Sequence, residues 1–118
     1  MHSTGRRIID AFLAGDASSA TALLAPDATF HSPIRDYDGA ERIGAVWRAV
    51  ARVVTQGHPT SVHEQDDEAI VFFAGTINDE PVDGVLRTLT NDENRVTDIT
   101  LMMRPWAALK AGIAEIKI

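Results

Sequence analysis

Apolar residues in the first part of the chain recur three and four positions apart, which is the spacing of one face of a helix. The pattern predicts a helix over residues 5–14, then a stop at Gly15 and a new N-cap at Asp16. Pro26 is expected to end the second helix, because proline interrupts helical hydrogen bonding. Residues 28–31 then have room only for a short strand.

Two further helices are predicted later in the chain. The longer one follows residues 38–41, which resemble a capping box, and its apolar positions recur at helical spacing from Ile43 to Val54. The other begins at Pro105, a residue suited to the first turn of a helix, and repeats apolar positions every three or four residues.

Between these two helices the apolar pattern alternates with a period of two. Polar clusters that read as hairpin turns separate the apolar runs. The runs predict four antiparallel strands in meander order: Thr60–Glu64, Ala69–Ile77, Val82–Thr90 and Arg95–Met103. Because such a sheet twists, a long helix across one face would close it into a cone with an interior pocket. The prediction is an α+β fold whose curved antiparallel sheet is wrapped by helices.

Composition and charge narrow the function. With 118 residues, 45% of them hydrophobic, we expect one globular domain over residues 1–118. The net charge of −6, with scattered basic residues, disfavours nucleic acid as a partner. The absence of cysteine excludes disulfides, thiolate nucleophiles and iron–sulfur clusters. No leader or apolar stretch long enough for a membrane is present in this sequence, so we expect a cytoplasmic protein without a membrane partner.

Several short segments carry a resemblance to a known family: Gly15-Asp16, residues 24–33, Tyr37-Asp38-Gly39 and residues 101–105. Together they are similar to the nuclear transport factor 2-like superfamily and, more narrowly, to its SnoaL-like branch, which is related to ketosteroid isomerases and polyketide cyclases. The resemblance covers nearly the whole chain and implies the cystatin-like cone. This fold hosts isomerases, cyclases, hydrolases, dehydratases and non-catalytic binding modules, so it does not fix the function.

The ketosteroid isomerase mechanism lacks its residues here. The resemblance places the general-base carboxylate at the position of Ser32, and the oxyanion-stabilising tyrosine and acid at Ile8 and Leu86. Because enolisation needs a proton acceptor and oxyanion donors, these residues exclude that route.

Two residues are candidates for other acid–base chemistry. His31 titrates near neutral pH, but alternation that turns Ser32 inward sends His31 to the opposite face unless an irregularity before Pro33 reverses it. Asp83 is a carboxylate within a predicted strand, and burial would raise its pKa; its parity with Arg87 nevertheless points outward.

The remaining candidates would bind a ligand in the pocket. Trp47 would reach it from the long helix, and its indole N–H would meet a ligand acceptor or lie in the core. The predicted apolar wall consists of Phe72, Leu86, Ile99, Leu101 and Met103, and the predicted polar points are Ser32, Thr76 and Thr88. His63 is a further candidate for the pocket. His63 is alternatively a half-exposed strand residue. The four histidines lack metal-ligand spacing, so neither a metal nor a cofactor is expected.

The outer face of the sheet predicts a homodimer. The residues expected there are Phe73, Val85, Leu89, Met102, Arg87, Asp98 and Thr100, a mixed apolar surface that a second copy would cover.

The favoured function is binding of a small hydrophobic organic molecule whose identity the sequence does not give. The alternatives are a cofactor-independent acid–base enzyme (cyclase, isomerase or hydrolase) on a polyketide-like or terpenoid-like substrate, and a structural dimer with a collapsed pocket.

Overall fold

Within residues 3–116, which the computed structural model describes, the chain forms four helices and one six-stranded sheet. The helices are α1 (Thr4–Leu13), α2 (Ala17–Thr21), α3 (Ala40–Val50) and α4 (Trp106–Glu115). The strands are β1 (Leu24–His31), β2 (Asp36–Asp38), β3 (Val54–Gln65), β4 (Glu68–Ile77), β5 (Glu80–Thr90) and β6 (Val96–Arg104). The predicted α+β class is confirmed.

The start of α2 follows the sequence prediction. Gly15 adopts a φ of 78°, a conformation that glycine reaches without steric cost. The Asp16 carboxylate then accepts a hydrogen bond of 3.1 Å from the Ser19 backbone N–H. The predicted N-cap is therefore confirmed.

The segment around Pro26 differs from the prediction. Helix α2 ends at Thr21, and Pro26 lies inside strand β1 instead of ending a helix. The pairing of β1 with β6 shifts register between Leu24 and Thr29, and Pro26 falls in this irregular stretch. Because proline has no N–H to donate, an interruption of the ladder is a position where a strand tolerates it.

The predicted capping box at residues 38–41 is wrong. Asp38 is the last residue of β2, and its carboxylate accepts a hydrogen bond of 2.9 Å from the Thr29 hydroxyl across the strand pair. The N-cap of α3 is Gly39, which offers no side-chain cap. Helix α3 ends at Val50, so Val54, expected at the end of this helix, instead begins strand β3.

The sheet has the strand order β2-β1-β6-β5-β4-β3. Strands β3 to β6 form the predicted antiparallel meander, whereas β1 runs parallel to β6 and antiparallel to β2. The register of β3 against β4 shifts twice, between Thr55 and His58 and between Pro59 and Ser61. Such bulges bend a strand and increase its twist, which helps to curve the sheet.

The helices cover one face of the sheet, which we call the inner face. Leu86 and Phe73 on this face are each 1% exposed. The prediction that Phe72 lies inside and Phe73 outside is wrong, because Phe72 is 48% exposed and Phe73 is buried. Strand β4 is apolar on both faces, so alternation does not fix its phase; its pairing of Phe72 with Val85 does, since directly opposed residues share a face.

The inner face carries two hydrophobic clusters. Helix α1 packs on β3, β4 and β5, and the larger cluster lies beneath it and α3. Helix α4 packs on β4, β5 and β6 and belongs to the smaller cluster, which includes Val53, Ile77 and Leu109. A Cβ on Gly112 of α4 would lie 2.9 Å from Val53, so the absence of a side chain lets this helix approach the sheet closely.

Candidate functional site

A cavity of about 280 Å³ lies where the two hydrophobic clusters meet. Its walls come from β1, β6, α3 and α4, from the first residues of β3, from the end of β4 and from the segment over residues 32–37. Most of the lining is aliphatic or aromatic, including Phe30, Val46, Leu101, Leu109 and Ile113.

The polar groups of the lining come from one segment. Ser32, Arg35 and Tyr37 all lie between the end of β1 and the middle of β2, whereas α3 and α4 contribute only apolar side chains and Gly112. Among the described residues that line the cavity, Arg35 alone carries a charge, and none is a histidine or a carboxylate. Arg35 and Tyr37 are not among the lining residues predicted from the sequence.

The Ser32 hydroxyl holds the loop before β2 in place. It accepts hydrogen bonds from the backbone N–H groups of Ile34 at 3.3 Å and Arg35 at 3.1 Å, and it donates one of 2.6 Å to the Arg35 carbonyl. The Ser32 backbone N–H donates to the same carbonyl at 3.0 Å. Ser32 thus lines the cavity as predicted, but its hydroxyl is engaged in positioning the backbone of Arg35.

Tyr37 places a phenol ring in the cavity wall. It is 6% exposed, stacks on Phe30 with ring centroids 6.2 Å apart, and carries the Arg42 guanidinium 5.6 Å from its centroid. Its neighbours Asp36 and Asp38 interact instead with His31 and Thr29. This alternation directs the carboxylates of β2 away from the cavity. The same alternation in the sequence, read as a short strand, would have indicated Tyr37 and Arg35.

Two of the predicted wall residues, Leu101 and Met103, line the cavity. The predicted wall residues Leu86 and Ile99 and the predicted polar points Thr76 and Thr88 do not. Leu86 is 1% exposed and Thr88 is 0% exposed, because α1 covers this part of β5. A Cβ added to Gly5 of α1 would collide with the Thr88 hydroxyl. This hydroxyl has no hydrogen-bond partner among the described residues. Leu86 and Thr88 are therefore core residues beneath α1.

Trp47 is also a core residue. It is 2% exposed, and its ring lies edge-to-face against Phe12 and Phe30, each at a centroid distance of 5.5 Å. It lines a separate void of about 10 Å³ and not the cavity of about 280 Å³. Its indole N–H finds no acceptor within residues 3–116. Of the two sequence interpretations of Trp47, the structure favours the core position.

His63 and Phe72 lie on the outer face of the sheet. His63 is exposed, its Nε2 is 2.9 Å from the Ser61 hydroxyl, and its ring meets that of Phe72 edge-to-face at 6.5 Å. The prediction that these two residues face the interior is wrong. For His63, the alternative of a strand residue open to solvent describes its position.

His31 lies on the opposite side of β1 from the buried Phe30. Its Nδ1 is 2.8 Å from an Asp36 oxygen, and its Nε2 is 3.5 Å from an Asp98 oxygen. The hydrogen bond to Asp36, with a smaller contribution from Asp98, raises the pKa of His31 above its ordinary value. The irregularity that would have turned His31 inward does not occur before Pro33.

Asp83 lies outside as its parity predicted. Its carboxylate accepts hydrogen bonds from Arg104 at 2.7 and 3.4 Å. The guanidinium holds the pKa of Asp83 below its ordinary value, whereas a buried general acid would need a raised pKa. Neither candidate catalytic residue lines the cavity.

Among residues 3–116, no group of three or more metal-ligating side chains is placed to hold an ion. No helix in the same range is long and apolar enough to cross a membrane.

Comparison with known families decides the relationship. The family model for the SnoaL-like domain matches residues 5–103. The chain belongs to the SnoaL-like family. No curated protein matches it significantly.

Solved structures similar to this SnoaL-like chain share its fold. An uncharacterized bacterial protein with a cystatin-like fold from Silicibacter pomeroyi has a TM-score of 0.89 at 24% identity, over 98% of this chain and 84% of that one. A steroid delta-isomerase from Pseudomonas aeruginosa has a TM-score of 0.83 at 21% identity, over 98% and 90%. A SnoaL-like protein of unknown function from Burkholderia thailandensis has a TM-score of 0.70 at 18% identity, over 85% and 91%. The predicted cystatin-like fold is confirmed.

The positions that the resemblance assigns to ketosteroid isomerase chemistry carry no ionisable side chain in this SnoaL-like chain. Ile8 and Leu86 are each 1% exposed in the larger cluster. At the third position, the Ser32 hydroxyl is bound to its own loop. The shared fold therefore comes without that set of acid and base groups.

Proposed function

We propose that this SnoaL-like protein binds a small, mainly apolar organic molecule in the cavity between the sheet, α3 and α4. The observation that carries the proposal is the lining of the cavity of about 280 Å³, in which hydrocarbon side chains dominate and the polar groups come from one segment. This volume lies near the lower end of the range of ~300–1,000 Å³ typical of ligand pockets. Such a lining favours a compact hydrophobic body over a highly polar metabolite.

Binding is favoured over acid–base catalysis. An enzyme acting on a polyketide-like or terpenoid-like substrate needs a proton-transfer group within hydrogen-bond reach of the bound molecule. His31 and Asp83 are paired with charged groups on the other side of the sheet. We therefore place carriage or sensing of the ligand ahead of its turnover.

A neutral fluorescent probe, N-phenyl-1-naphthylamine, tests the proposal. We expect saturable binding at one site per chain, because the probe is apolar and compact. Ile113→Trp should weaken it at least tenfold, since Ile113 lines the cavity and a larger ring there would fill it. The matched control is Ala111→Trp on the exposed side of α4, which should bind like the wild type. Absence of saturable binding, or equal binding by Ile113→Trp, would contradict the proposal.

We further propose that two copies associate through the outer face of the sheet. Phe72, Val85 and Met102 stand side by side across β4, β5 and β6, and we call them the outer-face row. Phe72 is 48% exposed and Met102 is 62% exposed, so much of this row contacts water in a single chain. A two-fold axis through the sheet would cover it with the same row of a second copy.

A further inference from the structure

The lining of the cavity includes a positively charged residue. Arg35 is the charged residue among those described that line it, although the chain as a whole has a net charge of −6. No carboxylate within residues 3–116 forms an ion pair with Arg35, whereas Arg6, Arg87 and Arg104 each pair with one. Arg35 is also exposed, so its guanidinium is available to an outside partner.

The backbone that carries Arg35 is held in place by the cavity wall itself. The Ser32 hydroxyl bonds to both the N–H and the carbonyl of Arg35, so the loop has a defined path into β2. Tyr37, two residues later, lines the same cavity and has a hydroxyl that can donate a hydrogen bond. The carboxylates of Asp36 and Asp38 interact with His31 and Thr29 on the other face of β2, so they do not neutralise Arg35.

We infer that the preferred ligand is an amphipathic anion, with a hydrocarbon or aromatic body in the apolar part of the cavity and a carboxylate at Arg35. The inference rests on the proposed function and adds the chemical class of the ligand. A guanidinium presents its N–H groups in a planar fork that matches the two oxygens of a carboxylate. The part of the lining formed by Leu109, Ile113 and Ile116 of the α4 region offers only hydrocarbon to the rest of the molecule.

A different result is expected if Arg35 only makes the rim of the cavity hydrophilic and does not bind the ligand. In that case a carboxylate and an alcohol of equal chain length would bind alike, apart from a general effect of charge. Octanoate and 1-octanol are a suitable pair because they share a hydrocarbon chain and differ in the head group.

The test measures displacement of N-phenyl-1-naphthylamine by each of these two compounds. For the wild type we expect octanoate to bind more tightly than 1-octanol. Arg35→Gln should weaken octanoate about fivefold, the size of effect expected for a partly exposed ion pair, and leave 1-octanol within about twofold. Added salt should weaken octanoate in the wild type and much less in Arg35→Gln, because ions screen the pairing.

The matched control is Arg7→Gln, which removes the same charge from an exposed position on α1. Octanoate should bind to this variant as to the wild type. Equal losses of octanoate affinity in the two variants would overturn the inference, as would equal losses for octanoate and 1-octanol in Arg35→Gln. If 1-octanol binds in the cavity and octanoate shows no preference, the ligand class is wrong but the proposed function stands. If the probe shows no saturable binding to the wild type, neither compound has anything to displace, and the proposed function fails.

Discussion

At the scale of single residues, the type of a side chain was visible in the sequence and its partner was not. His31 was selected because histidine titrates near neutral pH, and the structure gives it two carboxylates on the outer side of β1. Ser32 was selected as a polar point of the cavity, and its hydroxyl is used by its own loop. The main partner of His31 is Asp36, which belongs to the short strand β2. The partner of Ser32 is Arg35, which belongs to the loop before that strand. The periodicity of the sequence revealed neither element.

The surroundings of His31 predict a pH dependence. Because its pKa is raised above the value of about 6.5 in the unfolded chain, the ion pairing contributes fully to stability below that pH. The contribution is lost as pH rises through the higher folded pKa. The ring resonances of His31, followed by NMR, should titrate above those of an unfolded peptide, and Asp36→Asn should lower the midpoint more than Asp98→Asn does. A His31 midpoint unchanged by Asp36→Asn would contradict this assignment.

At the scale of helices and strands, the prediction succeeded where the apolar period was long. Helix α1 follows from the spacing of its apolar face, and the four meander strands follow from apolar runs separated by turn residues. The prediction failed over residues 22–41, where Pro26 lies in an irregular strand and Asp38 bonds across to Thr29. There the local signals of helix ends compete with sheet pairing to β6, which is distant in the sequence.

The packing of α1 on β5 provides a test at this scale. Gly5→Ala should destabilise the protein by about 1–3 kcal/mol, because the added methyl group meets the buried Thr88 hydroxyl and overpacks the contact. Adding Thr88→Ala should recover part of this loss, whereas adding Thr88→Val should not, since valine keeps an atom at the crowded position. Urea unfolding of the single and double variants measures both effects. A Gly5→Ala variant as stable as the wild type would contradict the described packing.

At the scale of the whole molecule, the general shape followed from the order of the elements, but the walls of the cavity did not. A curved sheet with helices over one face was predicted from twist and from the resemblance. The contributions of Arg35, Tyr37 and α4 were missed. That of α4 depends on how closely this helix approaches the sheet at Gly112. The phase of β4 was also missed, since Phe72 and Phe73 are equally apolar and only the pairing with β5 distinguishes them.

The outer-face row gives the prediction for the assembled protein. Phe72→Glu and Met102→Glu should each shift the protein from dimer to monomer, because two-fold symmetry places the new charges close to each other in an apolar contact. Sedimentation velocity at micromolar concentrations measures the change. Trp106→Glu is the matched control, since Trp106 is 60% exposed but lies on α4, and it should remain dimeric. A monomeric wild type at those concentrations would rule out this association.

The parallel pairing of β1 with β6 has a consequence for synthesis of the protein. Thr29 is paired with Asp98, so a strand made early must wait for one made about seventy residues later. Until then the nascent chain has an apolar strand, β1, with only the three-residue strand β2 beside it. Contacts this distant slow folding. On the ribosome, stable structure in the first third of the polypeptide should therefore appear only when nearly all of it has emerged.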